Sequence, residues 1–288
     1  GLGDVYKRQD DYRAYVGGTS GLIYGYVNDG FYTVDDFASF DAQARTWKLK
    51  AGVVDSSPLS DTPRPGNAKF KKLTPVAPNS TNPYQLTEAD RTVIGNTTPK
   101  FSGGFGLNAT YKGFDLSMFF SYMYDFDVLN ANKIMLTTWA DNKDNNFLMD
   151  IASDKRWRNF DDMGNEIRYS PEILAEFNKD ATMWNPTSIG RPISMSYAVE
   201  DGSFLRLSSA TFGYTLPVAW TRKVGLNKVR FYVSGNNLFV LTGYSGYDPE
   251  VNIATGLTPN IDYNRYPRSR TYTCLLYTSD AADDMQCV

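Results

Sequence analysis

Histidine is absent from all 288 residues, and the two cysteines, Cys274 and Cys287, both fall within the last fifteen. This excludes Ser-His-Asp and Cys-His nucleophilic catalysis and histidine-based zinc sites. Carboxylates, aromatic rings and amides remain. Asp248 and Glu250 flank Pro249, the residue types that paired acid–base work or metal ligation needs, but two carboxylates two residues apart are common. The run ADNKDNNF is similar to a calcium loop, yet Asp141, Asp144 and Asn146 miss the EF-hand spacing and no glycine marks the turn. A solvated loop is the better reading. Gly103, Gly104 and Gly106 precede no helix, so they are not a phosphate cradle. Glycine there suits curvature or a close approach to the strand. Trp139, Trp157 and Trp184, with Asn145, Asn146 and Asn185 near them, could stack on and hydrogen-bond a sugar. They could equally pack their loops together, which is the favoured reading. No metal, no cofactor and no enzymatic activity are expected.

The elements that would carry these residues are strands. In FSGGFGLNATYKGFDLSMFFSY (101–122), Phe101, Phe105, Leu107, Ala109 and Tyr111 alternate with Ser102, Gly104, Gly106, Asn108 and Thr110. After Lys112-Gly113 the phase restarts, with Phe114, Leu116, Met118, Phe120 and Tyr122 against Asp115, Ser117 and Ser121. Period two on both sides of two turn residues predicts a β-hairpin with one greasy face. The opposite face is small and neutral, unlike a water-facing sheet dressed in Lys and Glu. Phe119 and Met123 break the pattern.

Residues 203–217 and 228–244 are further strong strand candidates, the first ending at Pro217. Weaker ones lie at 22–34, 46–54, 68–74 and 128–136, and a last strand starts at 269–273. Polar, Pro- and Asn-rich stretches separate them, and SPEILAEFNKD (170–180) predicts a short helix capped by Ser170. Lys and Arg number 29 against 32 Asp and Glu, for a net charge of -3, and give no basic patch for nucleic acid. Aromatic residues make up 15%. No apolar run approaches the roughly 20 residues of a membrane helix, which excludes helical spans but not a membrane β-barrel. In such a barrel short turns lie on the periplasmic side and long loops outside. The 101 strand then runs inward, 114 outward, 203 inward, 228 outward and the last inward. Residues 127–202 must add an even number of spans. A soluble or surface-anchored all-β carbohydrate-binding module would share the alternation on one strand face; it is the alternative reading.

Several phrases carry a resemblance. DRTVIGNTTPKFSGGF (90–105, with Asp90, Arg91, Gly95 and Pro99), GLIYGYVNDGFYTVDDF (21–37), the Arg64-Pro65-Gly66 step, EDGSFLRLSSATFGYTLP (200–217), VRFYVSGNNLFVLTGYSGYDPEV (229–251, with Asn237, Tyr247, Asp248, Pro249 and Glu250) and YPRSRTYT (266–273) resemble, in order and spacing, the SusC/RagA family of TonB-dependent outer-membrane transporters. The resemblance covers about 250 residues. It implies an all-β fold, the C-terminal part (roughly ten antiparallel strands) of a 22-stranded transmembrane barrel with long outer loops. The barrel would lie in the outer membrane of a Gram-negative cell. It implies import of oligosaccharide, or in some relatives peptide, with a SusD-like surface lipoprotein over the outer mouth. TonB would act through a plug that lies outside these residues, as would a signal peptide. It also implies that the motif residues, Asn237 and the Tyr247–Glu250 loop among them, are structural, and that Arg156-Trp157 is a packing pair. GLGDVYKRQ (1–9) and CLLYTSDAADDMQCV (274–288) depart from the family and are similar to read-through of sequencing adapters. The expected division is therefore a non-native end at 1–9, partial barrel at 10–273 and a non-native end at 274–288.

Overall fold

The computed structural model describes residues 12–13, 19–59, 62–76, 81–138, 146–152, 154–189, 192–250, 258–263 and 266–280. The chain forms two compact units: residues 1–98, 128–200 and 251–264 make the first, and 99–127, 201–250 and 265–288 make the second. Among the described residues seven short strands precede the hairpin: β1 (Tyr12–Arg13), β2 (Leu22–Gly25), β3 (Asn28–Phe31), β4 (Phe37–Asp41), β5 (Thr46–Leu49), β6 (Ala68–Phe70) and β7 (Thr92–Asn96). The hairpin is β8 (Phe101–Tyr111) and β9 (Phe114–Tyr124). Then come β10 (Asp127–Asn130), β11 (Val199–Asp201), β12 (Phe204–Thr215), β13 (Leu226–Thr242), β14 (Ile261–Asp262) and β15 (Thr271–Asp280).

The second unit is built on one five-stranded antiparallel sheet in the order β15-β13-β12-β9-β8. Its strands are 10 to 17 residues long, enough to cross the roughly 25 Å apolar band when tilted. Lys112 and Gly113 both have positive φ (47° and 86°), the type I′ geometry whose twist matches a two-residue hairpin. At the same end β12 and β13 are joined by residues 216–225, which hold a short helix at Val218–Thr221. At the other end the connections run from 125 to 203 and from 243 to 270. Strand β9 pairs directly with β12, so residues 127–202 add no strand to this sheet.

Register makes the greasy face continuous. Phe105 faces Phe120, which faces Leu207 and then Phe239; Ala109 faces Leu116, Phe212 and Val233; Tyr111 faces Phe114, Tyr214, Phe231 and Leu276. Cross-strand rings stack along it, Phe105 on Phe120 at 4.9 Å and Phe114 on Tyr214 at 4.3 Å. Many of these side chains are exposed, Leu241 at 60% and Tyr111 at 68%. The opposite face carries Asn108, Ser117, Thr211 and Ser234, with Thr211 donating to Ser234 at 3.2 Å. It also carries the ion pair of Asp115 with Arg230 at 2.5 Å. The irregular Phe119 lies on this face. Its ring fills the space over Gly104, where an added Cβ would stand 2.7 Å from the ring.

The sheet holds five of the roughly ten strands that the resemblance implies. The segments at 22–34, 46–54 and 68–74 form short strands of the first unit, because a break at Val27 and a turn at Ala51-Gly52 interrupt them. The segment at 128–136 is strand only to Asn130, whose side chain caps a helix at Ala131–Met135 by accepting from Lys133 N. Ser170 begins the expected helix, Pro171–Phe177, without a side-chain cap bond; Pro171 occupies its first turn. Strand β15 continues through Asp280 in register with β13. Ladder pairing uses backbone groups, so it accepts the Cys274–Asp280 sequence as readily as another.

The first unit packs around two apolar clusters. One holds Ile23, Tyr26, Phe70, Leu86, Trp184 and Met195; the other holds Tyr32, Phe37, Trp47, Trp157, Ile167 and Leu174. In the second the Tyr32 hydroxyl donates to Val54 O at 2.6 Å, and burial pushes its pKa up to about 12.

Candidate functional site

Two arrangements stand out, one in each unit. In the second unit Arg206 is 3% exposed. A strict alternation would put it on the greasy face with Ala210 and Phe212. Ser208 is an extra residue between Leu207 and Ser209, which pair with Phe120 and Phe119. That bulge turns Arg206 to the polar face. There Arg206 meets Asp248 at 2.5 Å and Glu250 at 2.6 Å. It also donates to the Asn237 side-chain oxygen. Asn237 takes φ 57°, a conformation that Asn tolerates, and its amide donates to Ser269 O at 3.2 Å. Glu250 reaches Arg268 at 3.3 Å. The loop over 243–250 is therefore clamped to the sheet by one buried arginine. Both carboxylates of the Asp-Pro-Glu step are engaged by arginine, and the arrangement is a clamp rather than an acid–base pair. Pro249 is buried beside them, while Tyr247 is 78% exposed. Sequence reading missed Arg206. The available signal was an arginine in an otherwise small and apolar strand, facing an unexplained carboxylate pair downstream.

In the first unit Asp90 is fully buried. Its carboxylate accepts from Leu73 N, Thr74 N, Thr74 Oγ1, Thr87 N and Thr87 Oγ1 at 2.6–3.0 Å, and from Lys72 Nζ at 3.2 Å. Burial alone would push this carboxyl up. The donors of Thr74 and Thr87 together outweigh it and hold the group well below the usual carboxylate range. The neighbouring Arg91 lies over the Tyr24 ring at 4.9 Å and donates to Tyr24 O at 3.1 Å. Gly95 pairs with Ile23 in the β2–β7 ladder. Pro99 begins the second unit, just before β8.

Trp157 and Trp184 are each 2% exposed. Trp157 packs edge-on to Phe31 at 5.7 Å, and Trp184 edge-on to Tyr197 at 4.7 Å. Neither offers a ring face to a ligand in this structure. Asn185 spends its side-chain oxygen on Thr187 N at 3.0 Å and its N–H on Gly66 O at 2.8 Å. Trp139, Asn145, Asp141 and Asp144 lie outside the described residues. Gly66 (φ 86°) lies against Trp157, and a Cβ there would stand 2.2 Å from the indole. Gly66→Ala is expected to cost at least about 1–2 kcal/mol from the left-handed backbone alone, read as a lower denaturant midpoint; an unchanged midpoint would refute the packing.

Beside this junction lies a cavity of about 250 Å³ lined by Trp47, Arg64, Asn67, Asn159, Arg168, Tyr169 and Thr187, among others. None of these residues had been singled out, apart from Arg64 as part of its motif. They come from four separated segments, so no spacing brings them together. The cavity can hold one residue-sized polar group among two guanidinium groups, amides and aromatic rings.

No family model matches the chain. It is similar to the TonB-dependent receptor P3 of Formosa agariphila, 31% identical over 259 residues, which is 88% of this chain and 21% of that protein. It is also similar to the TonB-dependent receptor SusC of Bacteroides thetaiotaomicron, 35% identical over 78 residues, 26% of this chain and 7% of that protein. Among solved structures, the RagAB peptide transporter aligns with TM-score 0.55 and 20% identity over 91% of this chain and 23% of that one. The chain spans about a fifth of the length of the first of these relatives.

Proposed function

We infer that this chain, over most of its length part of a SusC/RagA-like TonB-dependent transporter, supplies barrel wall and outer loops for import across the outer membrane. The observation that carries the reading is the five-strand face of exposed Phe, Leu, Val and Tyr, backed by a face of Ser, Thr, Asn and Gly. Water would penalise such a face; outer-membrane lipid favours it on one side and a hydrated lumen on the other. A soluble carbohydrate-binding module would need charge where this sheet has Leu107, Phe212 and Leu241. The exposed Tyr111 and Phe114 with the half-buried Tyr214 at the short-turn end, and the half-buried Tyr122 with the exposed Tyr124 at the other, fit the two interfacial aromatic girdles.

The imported cargo is read as oligosaccharide, with peptide the cargo of some relatives. A SusD-like lipoprotein would deliver it, and TonB would act through a plug outside these residues. No bond is made or broken in such work. The clamp of Arg206 on Asp248 and Glu250 would hold an outer loop against the wall, and Trp139, Trp157, Trp184, Asn145 and Asn185 would serve the loops that meet cargo.

Met118→Arg on the greasy face is expected to destabilise the lipid-embedded barrel by about 2–4 kcal/mol, whereas Ser117→Arg on the opposite face should change it by less than about 1 kcal/mol. Denaturant unfolding of the transporter in lipid vesicles reads both. Equal effects, or recovery of the protein from the soluble fraction, would sink the membrane reading.

A further inference from the structure

We propose that the cavity around Arg168 is a subsite for a single acidic sugar unit, a pyranose bearing a carboxylate or sulfate ester, of an oligosaccharide cargo. The proposal rests on the importer reading above. Three observations carry it.

The first is charge. Arg64 and Arg168 both line the cavity, and no carboxylate is among the lining residues. Glu166 touches Arg168 from the side, through Nε at 2.5 Å. The two terminal nitrogens of Arg168 have no partner among the described residues. Its guanidinium is held near two rings, 5.5 Å from the centre of Phe160 and 5.7 Å from that of Tyr169. A stacked guanidinium with a free fork is the arrangement that takes an oxyanion in two parallel hydrogen bonds.

The second is an unspent amide. Asn67 is 8% exposed and lines the cavity, and its side chain has no hydrogen-bond partner among the described residues. The amide lines the cavity with donor and acceptor unspent, so a ligand hydroxyl or oxyanion can pair with it. Its backbone is fixed by bonds of Tyr32 N to Asn67 O at 2.8 Å and of Asn67 N to Arg64 O at 3.0 Å.

The third is size and wall character. About 250 Å³ lies below the range of roughly 300–1,000 Å³ that drug-sized ligands need, and suits one monosaccharide. Trp47 and Tyr169 give the walls ring character, while Asn159 and Thr187 supply further polar groups for ring hydroxyls. A lone acidic amino-acid side chain would use the fork and leave these groups idle, so the sugar is favoured over a peptide.

The test uses the intact transporter purified from outer membranes. Binding is measured by intrinsic fluorescence for trisaccharides of galacturonate, glucuronate and mannuronate, for their neutral methyl esters, for sulfated galactose trisaccharides and for an aspartate-containing tripeptide. At least one charged trisaccharide is expected to bind at least tenfold more tightly than its neutral counterpart. Preference for the uronates or for the sulfated sugars identifies the oxyanion. Arg168→Gln should reduce that preference to near unity, chiefly by weakening the binding of the charged sugar. Asn159→Asp, nearly isosteric and placing a like charge in the cavity, should do the same if the arginine variant folds poorly. Equal binding of charged and neutral sugars overturns the subsite, as does a preference that survives both variants, or a tripeptide that outcompetes every sugar. Failure of every sugar to bind or be taken up overturns the oligosaccharide-import reading itself.

Discussion

Arg206→Met is expected to destabilise the folded wall by about 3–5 kcal/mol, the range for removing one partner from a buried ion pair. The cost comes from what is left behind. Asp248 and Glu250 stand 2.5 and 2.6 Å from Arg206, and after the change one keeps no cation and the other only Arg268. Asn237 also loses its donor. The effect should be strongly non-additive. Adding Asp248→Asn and Glu250→Gln to Arg206→Met removes the stranded charges and should recover more than half of the loss. Denaturant unfolding in lipid vesicles gives the stabilities. Protease cutting within 243–250 gives the local effect, which should rise in the single variant. A loss below about 1 kcal/mol, or no recovery in the triple variant, would show that the clamp is not holding the loop.

Asp90→Asn should cost about 3 kcal/mol at neutral pH, since an amide keeps the volume but loses the charge that Lys72 and the four Thr donors serve. The penalty should also depend on pH. The folded carboxyl titrates below its unfolded value of about 3.9. Its stabilisation is therefore complete above that value and is lost as pH falls through the folded pKa. The gap between wild type and variant should accordingly be full at pH 7 and narrow steadily below about pH 4. Hydrogen exchange at Leu73, Thr74 and Thr87, whose amides donate or adjoin a donor to this carboxylate, would report the local opening at neutral pH. A gap that stays constant from pH 7 to about pH 2 would mean that the charge is not what matters.

Much of the wall was legible in the sequence. Side chains in a strand alternate by backbone geometry alone, so the faces of residues 101–122 follow from residue order, and the Lys112-Gly113 turn fixes their register. The motif phrases were legible too, because their order along the chain carries the resemblance. Asp90 and Asn237 were marked by motif, but their roles were not. Asp90 gathers donors from Leu73, Thr74 and Thr87, a convergence that no local pattern encodes. The short strands between residues 22 and 70 were legible as apolar runs. Their assignment to a separate unit was not, because that depends on which runs find a common core.

The greasy and neutral faces of the hairpin, the lack of histidine chemistry and the family resemblance follow from residue identity and local order alone. Tertiary structure decided where Arg206 points. One extra residue at Ser208 reverses the facing of everything before it in β12. Without the bulge a charged side chain would lie on the greasy face. With it, Arg206 meets two carboxylates more than forty residues away. The cavity at Arg168 was likewise decided only by folding, because its walls come from segments near 47, 67, 159–169 and 187. Long-range packing, not spacing, sets the distance between them.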